Sequence, residues 1–167
     1  MDDSAEMVAC IPRLRRYARA LVGDRTPADD LVQDTLERAW SRFHLWRRGS
    51  DMRAWLFSIM HNVYVDQLRR PALAAQAFDD AALDVPTRAS QNDLLEVRDL
   101  ETALRSLPDE QREILLLVAL EQMTYEEVAK TLHIPLGTVM SRLSRGRARL
   151  RAVMDGQPLV TPLKVVK

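Results

Sequence analysis

Thr124 to Leu150 reads TYEEVAKTLHIPLGTVMSRLSRGRARL, and the order of its signals decides the fold. Thr124 and Glu127 have capping-box spacing: the hydroxyl accepts from the third helical N–H and the carboxylate reaches back to the cap. Met123 and Val128 occupy the two staple positions around that cap, so a helix starts at Thr124. It is short, because proline disfavours helical geometry in the residue before it, and His133-Ile134-Pro135 follows. Pro135 is tolerated in the first turn of a second helix, where its missing N–H costs nothing. That helix turns Val139, Leu143 and Leu150 inward and carries Arg142, Arg145, Arg147, Arg149 and Arg151. Ala129 falls where the two helices cross, and its small side chain permits close approach. Two short helices with a tight turn, the second rich in arginine, read as a helix-turn-helix whose second helix enters the major groove. An amphipathic hairpin with a solvated arginine face is the plainer alternative. His133 stands at the turn position that glycine usually fills, and must take a left-handed conformation at some cost.

Composition frames this motif. The chain has 167 residues, 47% of them apolar, 29% charged and only five glycines. With much Ala, Leu, Arg and Glu, that favours an all-α protein. Net charge is zero, so a uniformly basic nucleic-acid binder is excluded. The charge is nevertheless distributed unevenly: residues 1–70 hold 12 Arg against 10 acids, 71–101 hold 2 against 7, and 102–167 hold 10 basic against 7 acidic. An acidic middle separating two mildly basic ends predicts two modules. Cys10 is alone, and His44, His61 and His133 have no ligand-spaced partners, so neither a disulfide framework nor a metal site is expected. No apolar run approaches the ~20 residues that span a bilayer, and no signal peptide is seen, so a cytoplasmic protein is expected.

Ahead of the motif, residues 5–22 have helical periodicity through Val8, Ile11, Leu14, Tyr17, Ala18, Leu21 and Val22. Thr26 reads as the N-cap of the next helix, with Pro27 at its first position. There Leu31, Val32, Leu36, Ala39, Trp40 and Phe43 line an inner side, and Asp30, Gln33, Asp34, Glu37 and Arg38 an outer one. The acidic outer side is either plain solvated surface or a docking face for a basic partner. Residues 44–54, HLWRRGSDMRA, form a loop whose Trp46, beside two arginines, suits stacking on an unpaired base or burial against the helix pair. A third helix over 51–70 buries Trp55, Leu56, Ile59, Met60, Val63 and Leu68, and turns Asn62, Asp66, Arg69 and Arg70 outward. Residues 72–91 read as a flexible acidic linker. From Asn92, a helix with a stripe of Leu95, Leu100, Ala103, Leu104 and Leu107 precedes a buried one over Asp109–Glu121. Residues 155–167 read as a loosely ordered tail.

Taken together, ADDLVQDTLERAW, GSDMRAWLFSIMHNVYVDQLRR and SLPDEQREILLLVALEQMTYEEVAKTLHIPLGTVMSRLSRGRARL resemble a bacterial RNA polymerase sigma factor of the extracytoplasmic-function group. The resemblance implies an all-α chain of two small helical domains, 1–71 and 92–154. It also implies a non-enzymatic promoter-specificity subunit without a cofactor. Asp30, Gln33, Asp34 and Glu37 would then dock on the polymerase β′ clamp, with the second domain at the β flap. Trp46, Arg47, Arg48, Asn62, Arg69 and Arg70 would hold the melted downstream promoter element. Thr138, Ser141, Arg142, Ser144, Arg145 and Arg149 would read or hold the upstream duplex. Met140 and Ser144 depart from the residues common in such proteins. An anti-sigma protein is an expected partner. A self-sufficient helix-turn-helix regulator is the competing reading, although it leaves the acidic helix and the Trp46 loop without a role.

Overall fold

The computed structural model describes residues 2–70 and 91–156, with side chains described from Leu94 onward in the second segment. Among them every regular element is helical: α1 (Asp3–Val22), α2 (Arg25–Ser41), a 3-10 turn at Phe43–Leu45, α3 (Met52–Leu68), α4 (Gln91–Arg105), α5 (Asp109–Ala119), α6 (Tyr125–Leu132) and α7 (Leu136–Met154). The linker and most of the tail expected from sequence lie outside these residues.

In the N-terminal half, α1, α2 and α3 pack against one another. Leu14, Tyr17 and Leu21 of α1 meet Leu31 and Val32 of α2 and Leu56, Phe57 and Met60 of α3, all buried in one apolar cluster. Tyr17 and Phe57 meet edge to face at 5.0 Å, a preferred aromatic geometry. Helix α2 begins two residues ahead of the expected start. Its N-cap is Asp24 rather than Thr26, and Pro27 lies deeper in the first turn, where backbone N–H groups still have no helical partner. Thr35 is buried in this half and donates its hydroxyl to Leu31 O at 2.7 Å. Three residues of the expected apolar stripes are exposed: Val8 at 62%, Trp40 at 65% and Leu68 at 51%. Each lies at the outer edge of its apolar stripe, beyond the reach of the neighbouring helix.

In the C-terminal half, α5 and α6 pack on α7, with α4 against α7. The capping box forms: Glu127 N–H donates to the Thr124 hydroxyl at 3.2 Å, and Thr124 N–H to the Glu127 carboxylate at 2.8 Å. Met123 and Val128, the staple pair, are buried. Helix α6 ends at His133, left-handed at φ 55°, ψ 46°. Ile134 N–H then bonds Ala129 O at 3.1 Å, and His133 N–H bonds Lys130 O at 3.4 Å, closing the paired bonds of a Schellman ending. Pro135 is the N-cap of α7, one residue before its first turn. Gly146, mid-helix in α7, is buried where α5 crosses: a Cβ there would stand 3.4 Å from Gln111 Cβ. The stripe expected on α4 is only half buried. Ala103, Leu104 and Leu107 are inside, whereas Leu95 and Leu100 are exposed.

The two halves also pack together, α1 on α5 and α3 on α6. Arg112 of α5 is the hub of this corner. Its guanidinium donates to Leu104 O, Arg105 O and Leu107 O at 2.8, 3.0 and 2.7 Å, and pairs with Asp109 at 3.1 Å. It therefore terminates α4, satisfying carbonyls that the end of that helix leaves free. The same group donates to Leu21 O at the end of α1, at 3.2 Å.

Candidate nucleic-acid and polymerase interfaces

The expected recognition residues lie on α7 but not on one face. Val139, Leu143 and Gly146 are buried, which fixes the rotation of the helix and turns Gly137, Met140, Ser144 and Arg145 to solvent. Thr138, Ser141 and Arg149 are half-buried. Arg142 is drawn against α5, where it pairs with Glu110 at 3.5 Å and keeps 29% of its side chain exposed. Arg145, midway along α7, is thus the first exposed cation of that helix. Arg147 leans on the Tyr125 hydroxyl at 3.5 Å, tying α7 to α6. Arg149 has its Nε buried without a hydrogen-bond partner.

The acidic helix presents its outer side as expected. Asp30, Gln33, Asp34 and Glu37 are exposed, while Ala28, Leu31, Val32, Thr35 and Ala39 are buried. Gln33 donates to Glu37 at 3.3 Å, and Gln67 of α3 donates to Asp34 at 3.0 Å. Arg38 crosses to Asp66 of α3 at 3.1 Å. These bridges floor an open groove of about 570 Å³ between α2 and α3, lined by Asp34, Glu37, Arg42 and Arg70 among others. Ser41 and Arg42, also on its wall, extend the Asp34–Arg38 row by helical spacing. That spacing was the available signal, and reading the outer side only as far as Arg38 missed them. Asn62, Arg69 and Arg70 are exposed on α3 and at its end.

Of the two alternatives for Trp46, the structure shows the ring buried against the helices. It is 8% exposed and forms part of an aromatic ladder. Trp40 stacks on Phe43 at 6.0 Å, Phe43 on Trp46 at 5.9 Å, and Trp46 tilts against Trp55 at 6.5 Å. The exposed ring of the series is Trp40. The 3-10 turn at Phe43–Leu45 folds the loop back onto the bundle and takes Trp46 inside with it. Arg47 and Arg48 remain at the surface, the latter 2.9 Å from Asp3.

Two titratable groups at the contact between the halves are shifted from their ordinary range. Burial, and then the nearby Glu113 carboxylate, pushes the Tyr17 hydroxyl well up. Burial, and then the hydrogen bond to Asp109, pushes Tyr64 up. Cys10 is raised by burial and then by Glu6. Among the described residues no cluster of three or more His, Cys, Asp or Glu could hold a metal ion, and no helix is long and apolar enough to cross a membrane.

Similarity to known proteins follows the same division into halves. Residues 7–61 match the family described as the Sigma2 domain of PhyR, and residues 98–150 match sigma-70 region 4. The chain is 35% identical to the ECF RNA polymerase sigma factor EcfG of Rhodopseudomonas palustris over 89% of its own length and 83% of the relative's. It is 30% identical to ECF sigma factor SigM of Bacillus subtilis over 84% and 87%. Among solved structures, the sigma factor RpoE of Bartonella quintana, in complex with the anti-sigma factor NepR, superposes with a TM-score of 0.77 at 31% identity, covering 91% of this chain and 96% of that one. CnrH, bound to the cytosolic domain of CnrY, superposes at 0.68 with 26% identity, covering 93% and 88%. With both halves matched in order and relatives covered over most of their length, the chain belongs to the extracytoplasmic-function sigma factors, the promoter-specificity subunits of RNA polymerase.

Proposed function

We propose that this sigma factor divides its work among the surfaces described above. The outer side of α2 docks on the polymerase clamp through Asp30, Gln33, Asp34 and Glu37. The second half, 92–154, sits at the β flap and lays α7 in the upstream duplex, with Arg145 on a base edge. Arg142 and Arg149, half-buried, hold the helix on phosphate. Arg69, Arg70 and Asn62 hold the separated downstream strand near the α2–α3 groove. Trp46 supports that site from inside, as the floor of the aromatic ladder. The carrying observation is that α2 spends one side on the core and leaves an acidic row exposed and cross-bridged to α3. Such a row, pre-ordered by its bridges, fits a basic partner surface with little ordering cost.

Asp34→Lys tests this. Exposed substitutions change stability little, so the variant keeps its helical circular dichroism and loses affinity for core polymerase on gel filtration. A folded variant that co-elutes as tightly as wild type removes the docking assignment. An inhibitory partner is also proposed, because the similar sigma factor RpoE of Bartonella quintana was solved in complex with the anti-sigma factor NepR. A proteinaceous inhibitor of this chain would co-purify with it and release it to polymerase on dissociation.

A further inference from the structure

The first two turns of α7 expose no free charge. The helix buries Val139, Leu143 and Gly146, and by helical spacing its outer side runs through Gly137, Met140, Ser144 and Ala148. The exposed residues of the first two turns are Leu136 at 39%, Gly137, and Met140 at 51%. Arg142, the cation of those turns, is held against α5 by Glu110 at 3.5 Å. Exposed arginines begin at Arg145 and continue with Arg147 and Arg151.

A lone exposed apolar side chain is ordinary, but Leu136 and Met140 stand one turn apart where α7 begins. Internal packing does not account for the glycine between them. A Cβ at Gly137 would meet nothing among the described residues within 4 Å, and glycine weakens a helix. Its bare backbone instead lets a partner approach closely. The N-terminal residues of a recognition helix are the ones that meet base edges. In the major groove the base pairs offer donors and acceptors, and thymine adds a methyl group. Leucine carries no hydrogen-bonding group and methionine only a weakly accepting sulfur. The group these two side chains can recognise is therefore the methyl. Methionine, unbranched and polarizable, moulds readily to such a surface.

We propose that Met140, with Leu136 beside it, packs on the C5-methyl of a thymine in the upstream duplex. A T·A pair at that position is then selected by apolar contact, ahead of the bases within reach of Arg145. This contact rests on the upstream-duplex role given to α7 above, and gives that role a base and the group on it.

The test uses holoenzyme assembled from core polymerase and the full chain, with a promoter fragment on which it initiates. Thymines of the upstream region are replaced singly, on either strand, by deoxyuridine, which keeps every hydrogen-bonding edge and lacks only the methyl. Met140 is exposed, so Met140→Ala leaves the fold intact, as circular dichroism verifies. Losing one buried methyl contact corresponds to about a fourfold weaker complex. Wild type should show a loss of that size at one or more deoxyuridine positions. Met140→Ala should bind the unmodified fragment about fourfold more weakly and lose nothing further at those positions. Met140→Leu, which stays apolar, should keep the sensitivity. Wild type indifferent to deoxyuridine throughout overturns the methyl contact, and so does a Met140→Ala variant as sensitive as wild type. Weaker assembly of Met140→Ala with core polymerase, with deoxyuridine sensitivity intact, overturns it too and assigns this apolar surface to the polymerase. If replacing the whole upstream region by unrelated sequence leaves wild-type binding unchanged, the duplex-reading role of α7 itself fails. That result is distinct from indifference to deoxyuridine alone.

Discussion

Replacing Arg112 with alanine should be among the most damaging single changes to the C-terminal half. The side chain is 11% exposed and bonds four backbone carbonyls and one carboxylate. Not all of these are lost at full cost. Arg105 O lies at the surface, and Asp109, 46% exposed, can turn to water. Leu104 O keeps its bond from Leu107 N–H at 3.1 Å, whereas Leu107 and Leu21 are buried residues whose carbonyls would lose this donor. At roughly 1–3 kcal/mol for each of these two buried acceptors left unpaired, the loss is about 2–6 kcal/mol. That is a large share of the roughly 5–15 kcal/mol by which domains are stable. Arg112→Lys should fall between, since an ammonium keeps the charge but cannot fork to carbonyls on both sides. Urea denaturation followed by circular dichroism measures all three proteins. A loss below about 1 kcal/mol for Arg112→Ala would mean that these carbonyls find water without it, and that α4 is terminated by something else.

His133→Gly should stabilise the chain by roughly 0.5–1 kcal/mol, because glycine takes the left-handed turn without the Cβ penalty; an unchanged or lower urea midpoint would contradict strain at the turn. Alkaline pH should loosen the fold. Tyr17 and Tyr64 are both pushed above the ordinary value of about 10, so above that pH the unfolded chain has shed protons that the folded chain keeps, and stability falls as pH rises. Urea midpoints at pH 8 and near pH 11 should show the fall, and Tyr17→Phe should reduce it; an equal fall in the variant would place its source elsewhere. Arg145→Ala should relax base preference at one upstream position by about 1–3 kcal/mol, whereas Arg149→Ala should weaken all sites alike. Binding to a panel of single-base promoter variants separates the two, and equal losses across the panel for Arg145→Ala would remove its base-reading role.

Where structure depends on neighbours in sequence, the chain was legible. The capping box at Thr124 and Glu127, the staple and the left-handed His133 are chemistry within a few residues, and each formed as expected. The start of α2 was less legible, because Pro27 is tolerated anywhere in a first turn and so does not distinguish Asp24 from Thr26 as cap. Periodicity identified faces but not their edges: Trp40, Leu68, Leu95 and Leu100 continue apolar stripes past the point where another helix covers them. Trp46 could be read either way, and the 3-10 turn that buries it leaves no strong mark in the sequence. The packing of the two halves was not legible. It rests on pairs such as Arg112 with Leu21 and His61 with Glu113, which are far apart in the chain and carry no local pattern.

Transcription reconstituted from core polymerase and genomic promoter fragments tests the central claim most directly. The account predicts that adding this chain yields discrete transcripts from a subset of fragments that core enzyme alone does not initiate. It also predicts that Asp34→Lys abolishes them and that Arg145→Ala changes which fragments respond. Discrete initiation equal with and without the chain, from a preparation shown to be folded, would contradict it.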